Sequence, residues 1–578
     1  MRRIMICVLI ALGSLADGNA QLLRARGGAI VNDKGETIIL RGMGLGGWML
    51  QEGYMLRLSF LGQQYRIREK INEVVGPEKT QQFYEQWLLQ HTTRKDIDAL
   101  AAWGFNSIRL PMHYNLYTLP VDQEPVTGQH TWLATGFTLT DSLLSWCKAN
   151  KMYLILDLHA APGGQGNDLA ISDRDPSKPS LWESEPNKEK TIALWKELAQ
   201  RYANEPWIGG YDIINEPNWG FEDPKKDFRG IAESKNEPLR ELMVAITEAI
   251  REVDKKHIII IEGNGFGNNY KGILPPWDNN MVLSFHKYGN FNNTGAINGF
   301  LELREKYKIP IWLGESGENS NTWFTEAIQL AEDNGIGWAW WQHKKMGVNN
   351  PLEIQKPDGY DNLLMYWSGK GPKPSPEVAW MTLSQLLDNI RIENNIYHPD
   401  VVDAMIRQIH SNKTQPFKEH RITSKTAIRA VDYDMGRQRC AYFDKDSARY
   451  QYTPGVNTEG NRGHYYRNDG VDIQRGEDGP FIFNVEEGEW LQYSIHVDTA
   501  GIYDVSFITA AEKEGGEIGI QIEDNIRELK LPATGGMLSW KTSTIIGIAF
   551  KEGLNVIRVA ILKPGYNLLG IQFEKINN

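Results

Sequence analysis

Two glutamates stand where this chain can do chemistry. One closes the run Tyr211-Asp212-Ile213-Ile214-Asn215-Glu216-Pro217, the other the run Ile311-Trp312-Leu313-Gly314-Glu315-Ser316-Gly317. Asn-Glu-Pro occurs three times in the sequence, but Asn204-Glu205-Pro206 closes a helical stretch and Asn236-Glu237-Pro238 opens another. Those two read as helix punctuation. Only Asn215-Glu216-Pro217 leaves a short β-branched apolar run, where a side chain sits at a strand's C-terminal end. Paired carboxyl groups suit glycoside hydrolysis. One acid protonates the departing oxygen while a carboxylate about 5–5.5 Å away attacks the anomeric carbon. A single Glu cannot complete that reaction; two on separate strands can.

Such a pair needs a frame that brings distant strand ends together. From residue 21 to about 396, short apolar runs alternate with amphipathic segments, the pattern of βα units. The strand-like runs are 42–49, 107–112, 153–159, 208–215, 257–262, 281–288, 309–315 and 336–343. Eight such strands predict a closed (β/α)8 TIM barrel, whose catalytic rim is formed by the C-terminal strand ends. Strands four and seven then face each other across the mouth. The other rim residues are Arg109, His159, Asn215, His286, Tyr288 and Trp341. Arg109 and Tyr288 can hydrogen-bond Glu315, and a nearby cation keeps a carboxyl ionised. Asn215 can hold a sugar 2-hydroxyl, His159 and His286 can orient hydroxyls or the acid, and Trp341 offers a flat face to a pyranose. By alternation Trp338 and Trp340 pack in the core, and Asp157 serves structure. No close-spaced ligand pair such as H-E-x-x-H occurs, so neither a metal nor another cofactor is expected.

Beyond the barrel, residues 399–425 are polar and mixed, with a short helical piece at 401–409 and no periodicity from 412 on, and read as a linker. The pattern then changes to period two. Leu491, Tyr493, Ile495 and Val497 share one face, and Tyr503, Val505 and Phe507 follow the turn Ala500-Gly501. Residues 426–578 therefore predict an all-β jelly-roll sandwich.

The order and strand placement of the rim residues resemble glycoside hydrolase family 5 over roughly residues 25–396. The resemblance implies Glu216 as acid/base and Glu315 as nucleophile of a retaining enzyme. Arg41-Gly42-Met43-Gly44-Leu45-Gly46-Gly47-Trp48 and Asp157-Leu158-His159-Ala160-Ala161-Pro162-Gly163 are similar to the exo-β-1,3-glucanase branch of that family. The C-terminal stretch resembles carbohydrate-binding module family 6, in Ile428-Arg429-Ala430-Val431-Asp432-Tyr433-Asp434, Gly488-Glu489-Trp490-Leu491-Gln492-Tyr493, Thr534-Gly535-Gly536 and Gly565-Tyr566-Asn567-Leu568. This implies a sugar site at Trp540 and Asn567. Acidic positions tied to a structural calcium in that family are here Val431 and Leu569, which offer no hard oxygen ligand.

The expected partner is a β-1,3- or β-1,4-linked glucan or its oligosaccharides, cleaved by double displacement. Mannan, a glucosyl lipid, and a non-hydrolytic carbohydrate-binding protein on the same scaffold are the alternatives. A net charge of −11 argues against nucleic acid as a partner. Arg2 and Arg3 precede the apolar run 4–15, and Gly18-Asn19-Ala20 has the pattern of a cleavage site. Residues 1–20 therefore predict a signal peptide and a secreted, extracellular or periplasmic, protein. No run is long enough to span a bilayer. Cys147 and Cys440 suggest no disulfide framework, and a monomer is expected.

Overall fold

A computed structural model describes residues 22–576; the expected signal peptide lies outside the described residues. The strands β1 (Arg41–Gly44), β2 (Ser107–His113), β3 (Tyr153–Ala160), β4 (Ile208–Asp212), β5 (Ile259–Ile261), β6 (Met281–Lys287), β7 (Ile311–Gly317) and β8 (Trp338–Trp341) run parallel. They close into a barrel in which β8 pairs with β1. Strands covered on both faces must be apolar nearly throughout, which is why they stand out as runs rather than alternations. The helix Glu237–Val253 shows the complementary pattern. Leu239, Leu242, Met243, Ile246 and Ile250 are buried at helical spacing against the sheet.

Two departures from regular geometry shape the rim. β4 ends at Asp212, although Ile213 and Asn215 still donate backbone N–H groups to Ile260 and Leu158 at 3.1 Å each. In β7 the ladder slips by one residue. Phe285 faces Leu313 while His286 faces Glu315, leaving Gly314 as the extra residue of a bulge. The β8 side shows a slip over the same stretch. A bulge re-aims the side chain that follows it, here Glu315. Only glycine fits, because a Cβ on Gly314 would lie 2.1 Å from Ser284 Oγ.

The C-terminal domain is two packed sheets with an apolar centre that includes Tyr493, Val505, Phe507, Val559 and Phe573. One sheet runs His420–Ile422, Trp490–Val497, Gly553–Lys563, Glu517–Ile522, Asn525–Lys530. The other runs Ile473–Gly476, Gly479–Ile482, Asn567–Lys575, Gly501–Ala510, Lys541–Phe550.

The stretch expected as a linker is structured. Helix Pro399–Ile406 buries Val401 and Met405 in the barrel's apolar core, and His420–Ile422 joins the sandwich as a strand parallel to Trp490–Val497. The helix meets the short helical piece expected at 401–409, whereas a three-residue strand is too short to leave a periodic signal. The two domains also share a buried polar seam. Asn321 N–H donates to Asn468 O at 2.8 Å, and its amide reaches Asp400 at 2.8 Å and Asp469 at 3.1 Å. Asn468 returns its own amide to Asn319 O at 2.8 Å, and Asn319 exchanges hydrogen bonds with Arg449 at 2.6 and 3.0 Å.

Candidate active site

Arg109 is fully buried in the middle of β2, and a guanidinium there must be met by carboxylates. Nη1 donates to Glu315 Oε1 at 2.5 Å and lies 3.2 Å from Asp157. Nη2 donates to Asp212 at 2.8 Å, to Glu262 at 3.1 Å and to Asn215 Oδ1 at 2.8 Å. One cation thus ties together the ends of β2, β3, β4, β5 and β7.

Glu315 accepts on both oxygens, with Tyr288 donating its hydroxyl to Oε2 at 3.0 Å. Burial alone would raise its pKa, but the cationic surroundings of His286, Arg109 and His159 outweigh that and hold it below the ordinary carboxyl value. Glu216 sits in the opposite condition. Burial raises its pKa, neighbouring Glu315 and Glu262 add to the rise, and a hydrogen bond from His286 Nδ1 at 2.7 Å offsets only part. Carboxylate oxygens of the two glutamates lie within 4.8 Å of each other. Glu216 also has a backbone φ of +41°, a left-handed conformation rare outside glycine, and its N–H donates to Glu262 at 2.6 Å.

His286 is clamped between Glu216 and Glu262, whose Oε1 is 3.0 Å from Nε2. Burial opposes its charge, but Glu262, Glu315 and Glu216 raise its pKa well above that of a free imidazole. Glu216, His286 and Glu315 have the spacing of a cation site. A cation there would have to displace the proton that the surrounding carboxylates favour on His286. His159 donates to Asp157 at 2.8 Å, lies 3.3 Å from the Asn215 amide nitrogen, and stacks on Trp341 with ring centroids 5.1 Å apart. Trp341 borders the cleft but is 5 % exposed, with part of one face taken by that imidazole. Its indole N–H donates to Tyr54 at 2.8 Å.

The cleft measures about 1110 Å³ and is lined by Glu52, His159, Glu216, His286, Tyr288 and Glu315, among others. All eight rim residues singled out from the sequence meet here, with Arg109 and Asn215 completely buried beneath the two facing glutamates. Two carboxyl groups were missed. Glu262 closes the fifth apolar run just as Glu216 closes the fourth, so the same reading would have found it. Glu52 lies in irregular chain after β1, where no periodicity marks it. Burial pushes its pKa to about 8, with His159 opposing and Glu315, Glu318 and Glu216 adding.

In the sandwich, Trp540 packs edge-on against Phe481 at 5.3 Å, and the Asn567 amide donates to Met537 O at 2.7 Å. Ile482 pairs with Leu568, which puts both candidate residues at one corner of the same sheet. Val431 is buried in the apolar core.

A (β/α)8 barrel with two facing carboxyl groups at its rim defines a glycoside hydrolase. The model of cellulase (glycosyl hydrolase family 5) matches residues 69–347, and that of carbohydrate binding module (family 6) matches 463–575. The chain thus joins a barrel like those of glycosyl hydrolase family 5 to a sandwich like family 6 carbohydrate-binding modules. It is 26% identical over 382 residues to a β-xylosidase of Phanerodontia chrysosporium, covering 59% of this chain and 74% of that one. It is 25% identical over 327 residues to endoglucanase C of Acetivibrio thermocellus, covering 46% and 88%. A probable glucan 1,3-β-glucosidase A of Emericella nidulans is 31% identical over 183 residues, covering 31% and 42%.

Proposed function

We propose that the chain hydrolyses a β-1,3- or β-1,4-linked glucan with retention, by double displacement. The carrying observation is the Glu216–Glu315 pair, with oxygens within 4.8 Å and pKa values pushed in opposite directions. Glu315, ionised, attacks the anomeric carbon while Glu216 gives its proton to the departing glycosidic oxygen. The resulting glycosyl ester on Glu315 is then hydrolysed. Glu216, now a carboxylate, takes a proton from the incoming water, and Glu315 leaves as a carboxylate. Tyr288 and Arg109 hold the nucleophile's two oxygens, and His159, on the cleft wall, is placed to meet a sugar hydroxyl, while the buried Asn215 holds Arg109 and His159 in position.

The names of the similar proteins, an endoglucanase and a glucan 1,3-β-glucosidase, favour glucan. The β-xylosidase keeps xylosides as a second reading. We assign catalysis to residues 21–398 and polysaccharide capture, through Trp540 and Asn567, to 426–578. The basic and apolar N-terminus supports export.

A screen of purified protein on polysaccharides with product-length analysis tests substrate and linkage. Proton NMR of the first-formed product tests stereochemistry. An initial product of inverted configuration would overturn the roles given to the two glutamates.

A further inference from the structure

One stretch of the cleft wall comes from outside the barrel. Gln451 and Tyr452, contributed by the C-terminal domain, line the same cavity as Glu216 and Glu315. Tyr452 donates its backbone N–H to Gly289 O at 2.9 Å, one residue past Tyr288, whose hydroxyl holds Glu315. The Gln451 side chain lies directly over Gly289, where a Cβ would come within 2.6 Å of it. Tyr450 packs its ring on Phe291 at 4.8 Å, and Ser320 and Asn319 bind Ser447 O and Arg449 O at 2.5 and 2.6 Å. Residues 447–452 are thus pinned to the loops that leave β6 and β7. Yet the Tyr452 side chain is 67 % exposed.

We propose that Tyr452, with Gln451, forms a sugar-binding subsite of the catalytic cleft. The phenol ring stacks on a saccharide unit beyond the one being cleaved off, and the Gln451 amide meets its hydroxyls. The second domain then completes the active site besides acting as a tether. The proposal rests on the hydrolytic reading above. Its physical basis is an aromatic ring left exposed on a backbone fixed by hydrogen bonds, next to polar groups, as sugar sites require.

The test uses the full chain with Tyr452→Ala, Tyr452→Phe and Gln451→Ala. Substrates are aryl β-glucoside and β-1,3- and β-1,4-linked glucose pentasaccharides. Tyr452→Ala should lower kcat/KM on the preferred pentasaccharide roughly three- to tenfold, through KM, as loss of one stacked ring implies. Turnover of the aryl glucoside should stay unchanged, and Tyr452→Phe should retain most of the wild-type value. Equal losses on both substrates would mean that the segment only braces Tyr288 and Glu315, which overturns the proposal; so would no loss on either. Calorimetric binding of the pentasaccharides to Glu216→Gln, with and without Tyr452→Ala, keeps the test independent of turnover. A wild-type chain that cleaves nothing, but whose pentasaccharide binding still weakens with Tyr452→Ala, would sink the hydrolytic reading and uphold the subsite.

Discussion

Glu216 and Glu315 share one cleft, and the charge each faces pushes their pKa values apart, as the roles proposed for them require. Glu216→Gln and Glu315→Gln should each lower kcat by about a thousandfold or more, with the melting temperature retained; activity within tenfold of wild type for either would refute the assignment. Because Glu315 is held below the ordinary carboxyl value and Glu216 above it, kcat/KM against pH should be a bell wider than two ordinary carboxyls would give. Its acid limb follows ionisation of Glu315 and its alkaline limb deprotonation of Glu216. Glu52 gives a stability prediction of definite sign. Its folded value of about 8 exceeds the ordinary 4.5, so across that window the unfolded chain sheds a proton that the folded chain keeps. Stability therefore falls as pH rises from about 4.5 to 8. Glu52→Gln should remove that slope, raising the melting temperature at pH 8 and not at pH 4.5. The facing pair was legible in the sequence because each glutamate ends an apolar run. Glu52 was not, because nothing local distinguishes a loop carboxyl that burial will later perturb.

At the scale of elements, the sequence announced the barrel through fully buried strands that must be apolar on both faces. The bulge at Gly314 was invisible there, since a one-residue slip depends on neighbouring strands rather than on the run itself. It still makes a sharp prediction. Gly314→Ala places a methyl 2.1 Å from Ser284 Oγ, so Glu315 must move or the strands must part. Overpacking of this kind costs about 1–3 kcal/mol, and the shift should also cut kcat. Ser284 Oγ is buried without a hydrogen-bond partner, so Ser284→Ala alone should be nearly neutral. Combined with Gly314→Ala it should restore part of both stability and rate. Double-mutant melts and kinetics check this; losses that simply add would show that the bulge does not set the Glu315 position.

For the whole molecule, the expected division into two domains joined by a free linker underestimates their union. Periodicity reports each core separately, whereas the seam through Asn319, Asn321, Asp400 and Asn468 consists of single polar residues scattered along the chain. Cutting after residue 410 would leave those groups open to water on the loop that follows Glu315. The shortened barrel should melt at lower temperature than the full chain and lose rate even on small soluble substrates. Asn468→Ala should show the same in miniature, since a buried polar partner left unpaired costs about 1–3 kcal/mol. Calorimetry of the full chain should then give one coupled transition; two independent transitions, the earlier unaffected by Asn468→Ala, would contradict it. The seam also bears on how such a protein could be recombined. A binding domain hung on a flexible tether can be exchanged like a cassette, because neither side remembers the other. Here the loop behind Glu315 takes its shape partly from its neighbour, so a transplanted barrel would need either a host carrying matching amides or a redesigned 317–322 turn.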